Sequence, residues 1–103
     1  MNVQEIYKAA IEHYGRETQM LVCIEEMAEL IQAICKRMRG IDNFDNLAEE
    51  MADVEITQEQ LRMMLPEENW QRLLWKIEKL ERLESRIAGR KRAVVRRMEA
   101  ENG

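Results

Sequence analysis

The chain has 103 residues and a mass of 12.3 kDa, enough for one domain and too short for two ordinary ones. With 46% hydrophobic and 35% charged residues, one Pro and four Gly, it is neither collagenous nor proline-rich, and too apolar for simple disorder. The net charge of −4 hides an asymmetry: residues 1–81 carry nine Lys/Arg against 17 Asp/Glu, whereas residues 82–103 carry seven against three. An acidic body suits a cation and a basic end suits an anion or polyanion.

Abundant Met, Leu, Ile, Ala, Glu and Arg with only 5% aromatics is the vocabulary of an all-α fold. The first helix is expected from about Asn2 to Tyr14, with Val3, Ile6, Tyr7, Ala10 and Ile11 at helical spacing and Gly15 as its stop. The second is expected from about Glu17 to Arg39. There Met20, Ile24, Met27, Ile31, Ile34 and Met38 recur at steps of four and three, which predicts a core-facing stripe. Gly40 suits a helix end, and Asp42 or Asn43 suits the cap of the next helix.

The third helix is expected from about Phe44 to Leu65, with Leu47, Met51, Val54, Leu61 and Leu65 along one side. Pro66 interrupts the pattern and fits the first turn of a fourth helix, which uses Trp70, Leu73, Leu74, Ile77, Leu80, Leu83 and Ile87. Beyond Gly89 the sequence is helix-prone but poor in apolar residues, so the reading divides the chain into a helical domain, 1–89, and a basic helical or frayed extension, 90–103. The expected architecture is an antiparallel bundle of about four helices. A domain this small buries a modest share of its surface, so a second copy is expected to complete it.

No run approaches the roughly 18–20 apolar residues of a membrane span, and Glu5 and Lys8 interrupt the start where a signal peptide needs an apolar core. Cys23 and Cys35 are twelve residues apart, about 18 Å along one helix at ~1.5 Å per residue. That is too far to bridge. Cytoplasmic location, with both thiols as small hydrophobes, is the expectation.

The second and third helices carry the most informative residues. IEEMAEL places Glu26 and Glu29 three apart, and AEEMADV places Glu50 and Asp53 three apart, so each pair shares a helical face with Cβ atoms roughly 5–6 Å apart. A short turn makes these helices antiparallel neighbours, and the two acidic pairs then face one another. Hard divalent cations such as Mg²⁺ take such all-oxygen shells, completed by water and phosphate. Val22, Cys23, Leu30 and Ala33 border Glu26 and Glu29, which predicts partial burial and makes uncompensated charge expensive. The competing reading is a solvated Glu-rich face, expected for Glu25, Glu49, Glu55 and Glu59.

Glu26-Met-Ala-Glu29 and Glu50-Met-Ala-Asp53, twenty residues apart, together with YGRETQ (Gln19 seven residues before Glu26) and KLERLESRI at 79–87, resemble the MazG-like all-α nucleoside triphosphate pyrophosphohydrolases. The resemblance covers about two thirds of the chain and is weak over the basic end. It implies Mg²⁺-dependent cleavage (Mn²⁺ as a possible substitute) of a nucleoside triphosphate between the α and β phosphates, giving monophosphate and pyrophosphate. Carried over by position, Glu26, Glu29, Glu50 and Asp53 would hold the metal. Glu26 or Glu29, with Glu25 also open, would accept the proton of the attacking water. The chain's small size points to a homodimer or homotetramer whose paired helices complete the base pocket.

On the fourth helix Arg72, Lys76, Lys79, Arg82 and Arg86 form a cationic stripe, of which Lys79 and Arg82 best fit the basic residues such enzymes direct at phosphate. The alternative there is a solvent face with pairs such as Glu78 with Arg82. Trp70 and Trp75 suit a core or subunit interface better than base stacking. His13, the sole histidine, leaves no Glu-x-x-His pair for a di-iron bundle, and neither C-x-x-C nor a Walker glycine loop occurs. Two other functions compete with this one: a nonenzymatic helical module whose tail, Arg86 to Arg97, contacts nucleic acid or another acidic partner, and, within the superfamily, phosphoribosyl-ATP pyrophosphohydrolase activity.

Overall fold

The computed structural model describes residues 1–102, and side chains throughout except at 90–95 and 102. It is all-α, with α1 at Val3–Tyr14, α2 at Arg16–Met38, α3 at Phe44–Met64 and α4 at Pro66–Asn102. Each boundary has a local cause. Asn2 caps α1, its side-chain oxygen accepting from the Glu5 N–H at 2.8 Å. Gly15, at φ 93°, is the single residue between α1 and α2, a backbone setting that L side chains rarely adopt.

Gly40, at φ 83°, ends α2 in a Schellman turn. Its N–H reaches the Arg37 carbonyl at 3.0 Å, and the Ile41 N–H reaches the Lys36 carbonyl at 3.1 Å. Asn43 precedes α3, but its side chain does not cap that helix. Its Nδ2 donates instead to the Ala33 carbonyl, at 2.9 Å, tying the turn back onto α2.

The chain divides into two compact units, Met1–Pro66 and Glu67–Gly103. In the first, α2 and α3 pack along their length and α1 lies against both. Residues 33 with 43, 29 with 50 and 27 with 58 meet, so α2 and α3 are antiparallel. Cys23, Ala33 and Met64 are the fully buried apolar residues, accompanied by the polar Gln19, Thr57 and Gln60. Gln19 helps seat α1, its Nε2 donating to the Ala10 carbonyl at 3.4 Å.

This interior differs from the one the periodicity predicts. Of the expected core stripe on α2, Ile24, Ile31, Ile34 and Met38 are exposed, as is Met51 on α3. The inward face of α2 instead carries Gln19, Cys23 and Ala33, with Glu26 and Leu30 half-buried between them. Helical periodicity locates an apolar stripe, but it does not say whether that stripe meets the same chain.

In the second unit the described residues, 67–102, all belong to α4, a helix of 37 residues counted from Pro66. The expected fourth helix is present from Pro66, and its backbone continues as helix through the basic segment to Asn102. Trp70 and Trp75, expected in a core or interface, are exposed, as are Leu73, Leu74, Ile77 and Leu80. The side chains of residues 90–95 and the whole of Gly103, within the expected extension, lie outside the described residues.

Candidate metal centre and adjoining cleft

The antiparallel pairing of α2 with α3 brings Glu26, Glu29 and Glu50 together. One carboxylate oxygen from each lies within 4.8 Å of the others. Glu26 and Glu50 are half-buried, whereas Glu29 is exposed. One Oε2 atom on Glu26 and one on Glu50 are shielded from solvent and have no hydrogen-bond partner. A shielded polar atom without a partner is unfavourable, the more so when charged, so the bare cluster is electrostatically costly.

Protonation records that cost. Burial, then the neighbouring Glu29 and Asp53 carboxylates, pushes Glu26 up to about 7 from an ordinary value of 4.5. Burial and the Glu29 carboxylate likewise raise Glu50 above the usual carboxylate range. Both shifts have the sign that a bound cation would reverse.

Of the expected set Glu26, Glu29, Glu50 and Asp53, the three glutamates are the ones brought within 4.8 Å, and Asp53 is not part of that group. Asp53 is half-buried, acts electrostatically on Glu26 and Glu50, and lines a cleft together with Glu26. Glu25, Glu49 and Glu55 are exposed, as a solvated face requires. Glu59 differs in being half-buried beside Arg62, with which it forms an ion pair.

The donor set fits a hard divalent ion. It is all oxygen, crowded with negative charge, and partly open to water through Glu29. It contains no sulfur or imidazole that would favour a softer metal.

Lys79 and Arg82 belong to α4, in the other unit, and both are exposed. Arg82 pairs with Glu78 at 2.6 Å, with both side chains about half exposed.

Next to the acids is a cleft of ≈ 540 Å³ walled by all three helices of the first unit. Tyr14 and Ala10 come from α1, Thr18 and Val22 from α2, and Ile56 from α3. Glu26 and Asp53 form the wall shared with the carboxylate cluster, and Gln19, Thr57 and Gln60 are its deeply buried polar residues.

Gln60 and Thr57 have no part in the sequence reading. A signal for them existed: they stand seven and four residues beyond Asp53, hence on the face of α3 that carries the acids.

No protein-family model, curated protein or solved structure matches this chain.

Proposed function

We propose that the protein is a divalent-cation-dependent nucleoside triphosphate pyrophosphohydrolase. The observation that carries this reading is the meeting of three glutamate carboxylates within 4.8 Å, with two shielded oxygens left unpartnered beside a cleft of nucleoside size. Glu26, Glu29, Glu50 and Asp53 are the residues to hold Mg²⁺, with Mn²⁺ as a substitute. When bound, such an ion supplies positive charge to the phosphate oxygens and to the charge that develops on the leaving pyrophosphate.

Glu26 is assigned as the proton acceptor, because it belongs both to the carboxylate cluster and to the cleft wall. It orients a water so that the water oxygen bonds to the α-phosphorus while the bond from that phosphorus to the α–β bridging oxygen breaks. The water's proton passes to the Glu26 carboxylate, and pyrophosphate leaves with the bridging oxygen. Lys79 and Arg82 are proposed to meet the outer phosphates.

The same reading makes the protein a cytoplasmic enzyme of nucleotide metabolism. Among the described residues no helix is long and apolar enough to cross a membrane. Ile24, Ile31, Ile34 and Met38 give α2 an exposed apolar stripe, which a homodimer or homotetramer would cover.

The experiment is a panel of ribo- and deoxyribonucleoside triphosphates with Mg²⁺, assayed for monophosphate and pyrophosphate. Equimolar release of the two is expected from at least one substrate. Orthophosphate as the primary product, or no turnover of any member with Mg²⁺ or Mn²⁺, contradicts the assignment.

A further inference from the structure

Every residue of α4 from Trp70 to Gly89 is exposed, Leu73, Ile77, Leu80 and Ile87 among them. A helix draws most of its stability from packing an apolar face rather than from intrinsic propensity, and the face here has a particular repeat. Trp70, Leu73, Ile77, Leu80, Glu84 and Ile87 stand at alternating steps of three and four, and the same count carried on reaches the exposed Met98. These are the a and d positions of a heptad, with Trp70, Ile77 and Glu84 at a and Leu73, Leu80 and Ile87 at d. A repeat of 3.5 residues keeps one seam in line when two helices wind about each other. Ile at a with Leu at d favours two parallel strands.

Charge gives the occupant and its direction. In a parallel pair the g residue of one helix faces the e residue five positions on in the other. Lys76 is at g and Glu81 at e, so Lys76 faces the partner's Glu81, and the two-fold axis repeats the pair on the opposite flank. The neighbouring flank pairs set Asn69 beside the partner's Leu74 and Leu83 beside the partner's Ala88, so no like charges meet there. An antiparallel pair sets g against g and e against e and loses the match. Among the described residues neither Lys76 nor Glu81 is in an ion pair within the chain, and five residues apart they lie on different faces of the helix. Arg82 and Glu78, which do pair with each other, occupy outer positions, as does Lys79. Trp75 also falls outside the seam.

We infer that α4 is a dimerisation helix: two copies of the chain pair in parallel along the seam from Trp70 to Ile87, with Lys76 of each against the partner's Glu81. Glu84, the charged seam residue, meets its own counterpart and weakens the pair while fixing its register. The inference is independent of the proposed reaction and uses a different face from the apolar stripe of α2.

Sedimentation equilibrium of the full chain at micromolar concentrations reads it. The parent should show at least twice the 12.3 kDa of one chain, and Ile77→Lys with Leu80→Lys should halve the mass, whatever contact α2 adds. Lys76→Glu or Glu81→Lys alone should weaken association about tenfold, because two exposed attractions become repulsions. The two together should restore it. Glu84→Leu should strengthen association by at least as much, a gain that no folding defect imitates. With Cys35→Ser removing the exposed native thiol, Leu73→Cys should form an interchain disulfide on mild oxidation, because matching d positions adjoin in the parallel pair.

A monomer at all concentrations overturns the inference, as does a mass indifferent to Ile77→Lys with Leu80→Lys. So does a charge exchange that fails to restore association, or a Leu73→Cys chain that stays uncrosslinked. Those last two results are the ones expected if α4 docks instead on the α2 stripe of another copy.

Discussion

The two units of the chain contain similar raw material and put it to different use. In Met1–Pro66, three helices pack so that carboxylates distant in sequence crowd together, and two of those carboxyls are displaced from their ordinary acidity. In Glu67–Gly103, two arginines of a single helix find hydrogen-bond partners locally, Arg72 with Asn69 and Arg82 with Glu78. Exposed pairs three or four residues apart contribute about 0.2–0.5 kcal/mol each. Charge alone therefore does not make a site. The difference lies in whether packing removes the water that would otherwise screen it.

The largest predicted effect comes from removing a carboxylate where packing has done this. Glu50→Gln or Asp53→Asn should reduce pyrophosphate release by about 10³-fold or more, with the far-ultraviolet circular dichroism of a helical protein retained. Full activity in both variants would place the acids on the same footing as those of α4.

Removing the cation is next. The folded state holds the Glu26 proton to about pH 7, whereas the unfolded chain loses it near 4.5. Between these values the folded state binds more protons, so its stability falls as pH rises and stays reduced above 7. A saturating divalent ion should reverse this, raising Tm on the order of 10 °C at roughly a hundredfold excess over Kd. The gain should shrink as pH drops toward 4.5. A gain independent of pH would mean the ion binds elsewhere.

Glu26→Gln sharpens the same comparison by a smaller step. Without divalent ions and above pH 7 it should melt a few degrees higher than the parent, because a crowded charge is gone. The two should coincide below 4.5, where the parent's carboxyl is protonated in both states. Differential scanning calorimetry across pH checks both statements.

On α4 the effects should be milder. Lys79→Ala with Arg82→Ala should raise KM about tenfold with kcat nearly kept if these cations meet phosphate. An unchanged KM would leave Arg82 with its Glu78 pair alone. Deleting residues 90–103 should change pyrophosphate release by less than about twofold, because no residue of this segment has a part in the proposed reaction. Loss of salt-sensitive nucleic-acid binding on that deletion would instead favour an interaction module.

Much of the architecture was legible because its signals are local. Gly15, Gly40 and Pro66 require particular backbone geometry, and the helix ends fall within one or two residues of where they point. The meeting of Glu26 and Glu29 with Glu50 was legible for a related reason: a short turn enforces antiparallel pairing, and spacing of three enforces a shared face. The inward face of α2 was not legible. Ile24, Ile31 and Ile34 announce a buried surface, but the residues that pack within the chain include Gln19, Cys23 and Glu26.

The role of Asn43 was half legible. Its type and place suited a cap, while the stronger demand was the Ala33 carbonyl ten residues away. Gln60 and Thr57 escaped notice because a glutamine or threonine within a helix is unremarkable until packing closes over it. Only then does an unpartnered oxygen acquire meaning.

The central claim is tested most directly by titrating Mg²⁺ into the metal-free protein near pH 7 by calorimetry in buffers of different ionisation enthalpy. The account predicts saturable binding accompanied by release of a fraction of a proton, contributed chiefly by Glu26, and loss of both signals in Glu50→Gln. Heats of dilution alone, or binding that persists unchanged in Glu50→Gln, would contradict it.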